Sequence, residues 1–196
     1  MYLNQLKKEV VLVKTVALVG SLRKDSYNLK LVNHLATTYP ELGIEVAEIG
    51  NLPFFNEEIE ADPGQEVRDF QALVKDADAV VIATPEYNAS IPAVLKNALD
   101  WVSRAGREME GKKVLIMGAS MGNLGTVKAQ IHLRDILDTL GVAAYVMPAA
   151  GGNDVFVGAV HEKFDEDGTL TDELTVQFID AIVGRFKNFI KIDVSL

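Results

Sequence analysis

The chain has 196 residues, of which 48% are hydrophobic and 24% charged, enough for one sizeable domain with a buried core. It contains no cysteine, which excludes disulfides, thiolate metal sites and a cysteine nucleophile. The net charge of −9, with no basic stripe, argues against a nucleic-acid partner. Neither a leader nor a bilayer-length apolar run is visible, so a soluble cytoplasmic protein is expected.

In chain order, residues 1–13 read as an N-terminal extension and 14–196 as a single domain. Apolar runs at 15–20, 44–49, 78–84, 113–119 and 142–147 predict buried strands. Helical spacing between and after them predicts helices at 27–39, 64–76, 92–104, 125–140 and 171–191. Pro92 suits a first helical turn, and Val94, Leu95, Ala98, Leu99 and Val102 then form an apolar face. Gly141 is expected to end the helix that carries Leu133, Leu137 and Leu140. Leu174, Phe178, Ile182, Phe186 and Ile190 are expected to face the core from the last helix. Residues 148–170 read as a long irregular stretch with an acidic turn at Asp165–Gly168. Strands alternating with helices predict an α/β fold. Its expected form is a flavodoxin-like, doubly wound, five-stranded parallel sheet of order 2-1-3-4-5 with helices on both faces.

In that order the loops after strands 1, 3 and 4 converge at the carboxyl ends of the strands, where ligands bind. The first, Gly20–Asn28, joins a strand to a helix N-terminus, whose free N–H groups and positive dipole end favour an anion. Ser21 and Ser26 add hydroxyls and Arg23 a planar cationic fork, which suits a phosphate. The plainer alternative is a turn in which Ser26 only caps the helix. The second loop, Thr84–Ser90, offers a stiff Pro85, then an acceptor, an aromatic face and an amide from Glu86, Tyr87 and Asn88. That set suits a flat heteroaromatic ring; its alternative is helix capping by Asn88 or Ser90. The third, Ala119–Thr126, has Gly122 and Gly125 beside Ser120 and lets backbone approach a ligand closely.

Gly20-Ser21-Leu22-Arg23 with Ser26 and Asn28 form the first part of a wider pattern. Thr84 to Asn88, Ser90, Pro92, Leu95 to Ala98 and Asp100-Trp101 complete it. Together they resemble the NADPH-dependent FMN reductase family, which includes quinone, chromate and azo-dye reductases. The similarity runs roughly from residue 14 to 190. It implies non-covalent FMN, reduction by NADPH or NADH, and an acceptor such as a quinone, free flavin, azo dye or metal oxyanion. It also implies a homodimer or homotetramer, with the helices after the second and third loops at the interface. By the same resemblance Ser21, Arg23, Ser26 and Asn28 lie at the FMN phosphate. Pro85, Glu86, Tyr87 and Asn88 border the isoalloxazine, and Ser120 with Gly122 its far side. The chain departs from many members at Ala89, Thr126 and Lys128, positions that bear on the substrate and nicotinamide side. No catalytic residue and no metal ligand is assigned.

Two other functions fit parts of the chain. A flavodoxin-type electron carrier would share the fold, the FMN and the acidic surface. A serine hydrolase would use Gly118-Ala119-Ser120-Met121-Gly122 as a nucleophile elbow, with Asp154 and His161 following in order. The hydrolase leaves Arg23 and the 84–88 segment without a role. A receiver-like signalling domain is disfavoured because no acidic cluster follows the first strand.

Overall fold

A computed structural model describes residues 13–104 and 106–192. The expected N-terminal extension lies outside the described residues except for Val13. The elements in order are β1 (Thr15–Val19), α1 (Tyr27–Thr38), β2 (Ile44–Val46), α2 (Gln65–Asp76), β3 (Ala79–Ala83) and α3 (Ala93–Trp101). They are followed by β4 (Lys113–Ala119), α4 (Val127–Leu137), β5 (Tyr145–Val146), β6 (Val155–Val157) and α5 (Glu173–Ile190). The sheet is parallel and ordered β2-β1-β3-β4-β5, with β6 also paired to β4.

Every residue of β1, β3 and β4 is buried. This follows from a sheet covered on both faces, where strands read as continuous apolar runs. Alternate side chains serve opposite layers. Val16, Leu18, Val80, Ile82, Val114 and Ile116 pack under α2, α3 and α4 through Phe70, Leu95, Leu99 and Leu133. Ala17, Val81, Leu115 and Met117 pack under α1 and α5 through Leu31, Leu35, Ile182 and Phe186. Each of these side chains larger than alanine, fully buried, stabilises the fold by about 1.5–3 kcal/mol.

The expected fifth strand, 142–147, shrinks to Tyr145–Val146, and a second short strand, Val155–Val157, lies in the stretch expected to be irregular. Tyr145 and Val146 pair with Lys113 and Val114, and the strand line resumes only at Val155–Val157, opposite Met117–Ala119. Arg134 of α4 holds both sides of the break, donating to the Met147 carbonyl at 3.0 Å and to Asp154 at 2.8 Å. The 148–170 stretch is therefore not wholly irregular. It contains β6, a short 3-10 turn at Val160–Glu162 and a bridge between Phe164 and Leu170.

Two helix expectations are corrected. The fourth helix stops at Leu137, short of Gly141, and Leu140 is 89% exposed. On α5, Leu174 is 76% exposed, and the buried stripe is Thr175, Ile179, Ile182, Val183 and Phe186. A step of four residues overshoots a 3.6-residue turn by about 40°, so a strict every-fourth pattern slides off the core face. Asp172 caps α5, accepting the Thr175 N–H at 2.9 Å.

The third helix carries a device that local periodicity does not show. Asn97 accepts the Phe55 N–H at 2.8 Å and donates to the Pro53 carbonyl at 3.0 Å, and Trp101 Nε1 donates to that same carbonyl at 2.8 Å. These bonds fasten the segment after β2 to α3. Trp101 is a core residue, 1% exposed.

Candidate functional site

The sheet ladder continues one step past the named strands. Gly20 donates to Ala83, Thr84 to Met117 and Ser120 to Val157, at 2.9–3.0 Å. The loops after β1 and β3 therefore leave the sheet side by side at one level, and β4 runs on past that level, to Ala119, before the third loop begins next to them. At Gly118, near the end of β4, Thr84 and Thr126 at the edges of the second and third loops leave no room for a side chain. A Cβ on Gly118 would stand 1.8 Å from Thr126 Oγ1 and 2.6 Å from the Thr84 carbonyl.

In the first loop Ser26 caps α1, its Oγ accepting the Leu29 N–H at 3.4 Å, while its carbonyl accepts the Lys30 N–H at 2.9 Å. Tyr27 and Asn28, which open the helix, precede any intrahelical acceptor, so their N–H groups remain available. Arg23 is exposed, and its guanidinium makes a 3.3 Å contact with the Asp25 carbonyl that engages Nη2. Ser21 Oγ lies 3.4 Å from the Arg23 N–H. The donor set is hydroxyls, a free helix N-terminus and a largely uncommitted fork, which fits a phosphate.

The second loop is a tight reverse turn. Tyr87 and Ser90 exchange backbone hydrogen bonds of 3.0 and 3.1 Å, and Asn88 and Ala89 between them have φ of 52° and 62°. Two successive left-handed residues make a type I′ turn. It presents Tyr87 with 49% of its surface exposed, over a buried Pro85. The Glu86 carboxylate turns away from the tip, and its Oε2 accepts the N–H groups of Lys128 at 2.9 Å and Ala129 at 3.2 Å.

The third loop is anchored to the first by Asn28. Its amide donates to the Ala119 carbonyl at 3.2 Å and accepts the Ala119 N–H at 3.0 Å. Ser120 Oγ lies 2.7 Å from the Gly125 carbonyl and 3.1 Å from that of Gly122. All ten expected site residues lie on these three neighbouring loops, but the Asn28 amide, expected at a phosphate, and the Glu86 carboxylate, expected at a ring edge, are committed to backbone groups instead. Asn28 and Glu86 use their side chains to join the loops, roles that sequence reasoning missed.

The hydrolase constellation does not assemble. The Ser120 hydroxyl is engaged by backbone carbonyls, Asp154 is paired with Arg134 at 2.8 Å, and His161 Nε2 is 3.6 Å from Glu162. A hollow of about 600 Å³ between β2 and α2 is also no phosphate site, since Glu45, Glu48, Glu66, Asp69 and Asp76 surround it.

The model of one family, NADPH-dependent FMN reductase, matches residues 13–154. The chain belongs to that family. Among its relatives is a 2-hydroxy-1,4-benzoquinone reductase of a Burkholderia species, 33% identical over 91% of this chain and 97% of the relative. A quinone reductase of Pseudomonas putida is 37% identical over 89% of this chain and 93% of the relative. Among solved structures, the flavoenzyme NAD(P)H:(acceptor) oxidoreductase FerB from Paracoccus denitrificans is similar. Its TM-score is 0.81 at 36% identity, covering 91% of this chain and 98% of FerB. As a member of the FMN reductase family, the protein is an oxidoreductase that works with FMN and NAD(P)H. Among the described residues no helix is long and apolar enough to cross a membrane.

Proposed function

We propose that this chain transfers reducing equivalents from NAD(P)H to a quinone-type small molecule, with FMN held non-covalently across its three loops. The observation that carries this reading is the uncommitted donor set at the head of α1, set beside the exposed Tyr87 turn. The names of the quinone-reducing relatives point to the acceptor class.

Ser21, Arg23 and Ser26, with the N–H groups of Tyr27 and Asn28, would hold the phosphate through charge-assisted hydrogen bonds. Pro85, Tyr87, Asn88 and the Glu86 backbone would border one side of the ring, and Ser120 and Gly122 the other. Bound there, FMN supplies the two-electron chemistry between nicotinamide and acceptor. The protein's own part is to bind, orient and leave one face accessible. Pro85 stiffens the turn, and Tyr87 shapes the accessible face. No side chain is assigned a proton-transfer step.

Assembly into a homodimer or homotetramer belongs to the same proposal. Met121, Leu124 and Ile131, at the third loop and on α4, are more than half exposed and give an apolar surface beside the site. The purified protein alone is expected to oxidise NADPH or NADH when given FMN and menadione. An FMN-loaded protein that turns over only with a second protein present would support the electron-carrier reading instead.

A further inference from the structure

The 119–126 loop is fastened at both ends, and between them its backbone is backed by the segment after β6, with Gly122 accepting the Ala159 N–H and Ser120 the Val160 N–H, each at 3.1 Å. At its start Ala119 is held by Asn28 through two hydrogen bonds. At its end α4 begins without a cap of its own, because the Thr126 hydroxyl makes no cap bond and lies 3.1 Å from Gln130 Nε2. Glu86 fills that place from another loop, with one carboxylate oxygen on the N–H groups of Lys128 and Ala129. One turn further on, Ser90 Oγ pairs with His132 Nδ1 at 2.7 Å. Between the fastenings, Met121 is 57% and Leu124 74% exposed.

A carboxylate on the first N–H groups of a helix is favoured by the dipole and by charge-assisted hydrogen bonding. Here it also ties the loop after β3 to the loop after β4, the two expected to lie on either side of the ring. One carboxylate oxygen, Oε2, is committed to α4. We propose that Glu86 is a positioning residue. By capping α4 it fixes where the α4 end of the 119–126 loop stands against the flavin, and its carboxylate does not touch the flavin. This inference rests on the FMN reading given above.

The test combines FMN titration with amide hydrogen exchange at Lys128 and Ala129 in the apoprotein, for wild type, Glu86→Ala and Glu86→Gln. Asp172→Ala, which removes the cap of a different helix, serves as the control. Glu86→Ala is expected to speed exchange at both amides and to weaken FMN binding about tenfold, equivalent to about 1.4 kcal/mol. Glu86→Gln keeps an oxygen of the same reach and is expected to recover most of that affinity. Asp172→Ala is expected to lower the melting temperature without changing FMN affinity. Unchanged exchange and unchanged affinity in Glu86→Ala would overturn the proposal. So would a Glu86→Gln protein as weak as Glu86→Ala with its amides still protected, since the charge would then act on the ligand directly. A wild-type protein that takes up no FMN would sink the flavin reading itself, and the exchange data would still decide whether Glu86 caps α4.

Discussion

The Asn28 amide and the Ala119 backbone, 91 residues apart, satisfy each other through two buried hydrogen bonds of 3.0 and 3.2 Å. One residue opens the helix at the expected phosphate site, and the other begins the third loop. Asn28→Ala would leave both Ala119 backbone groups unpaired inside the protein. A loss of about 2–3 kcal/mol in urea unfolding is expected, together with weaker FMN binding as the loops separate. An unchanged unfolding midpoint would show that the clamp contributes nothing.

Ala89 sits at φ 62° in the exposed turn that carries Tyr87. A side chain in this conformation is strained, and Asn-Gly is the preferred pair for a type I′ turn. With Asn88 already in place, Ala89→Gly is expected to stabilise the protein by about 1 kcal/mol. Thermal unfolding of the variant checks this, and a lower melting temperature would contradict the turn assignment.

The Asp172 carboxyl is held down to about 2 by the Thr175 hydroxyl first, then by Lys163 and by the Thr175 N–H. A carboxylate whose folded pKa lies below its unfolded value of about 3.9 contributes stability above that value and loses it as the pH falls. The contribution should therefore fade between about pH 4 and pH 2. Asp172→Asn retains a capping oxygen but does not titrate. Its melting temperature is expected to fall less than that of wild type between pH 5 and pH 3, and parallel declines would argue against the shift.

What was legible in the sequence follows from how each signal is made. β1, β3 and β4 are buried on both faces, so their apolar runs stand out without context. The same runs place the three loops once the flavodoxin-like order 2-1-3-4-5 is taken, since alternation and right-handed crossovers leave few other arrangements. The sequence marks the fifth strand at 142–147 alone and leaves Val155–Val157 in a loop, because the two pieces share a line only through β4 and the Arg134 bridge. Nothing local marks that continuity. The roles of Asn28 and Glu86 were equally hidden. Their partners are 91 and 42–43 residues away, and a side chain bonding to distant backbone leaves no periodic trace.

Arg23 decides whether the first loop is a phosphate cradle or an ordinary turn. Its fork is exposed and lightly engaged, so removing it should disturb the fold little. Arg23→Ala is expected to weaken FMN binding by about 1.5–3 kcal/mol, as the loss of a charge-assisted hydrogen bond does. Circular dichroism should show an unchanged fold, which separates the binding effect from misfolding.

The most direct test of the central claim is a titration of the apoprotein with FMN, wild type against Arg23→Ala, followed by flavin fluorescence. Saturable binding by the wild type, clearly weakened in the variant, is predicted. A wild-type protein that shows no saturable binding, or a variant that binds FMN as tightly as wild type, would contradict the assignment of the Gly20–Asn28 loop to the FMN phosphate.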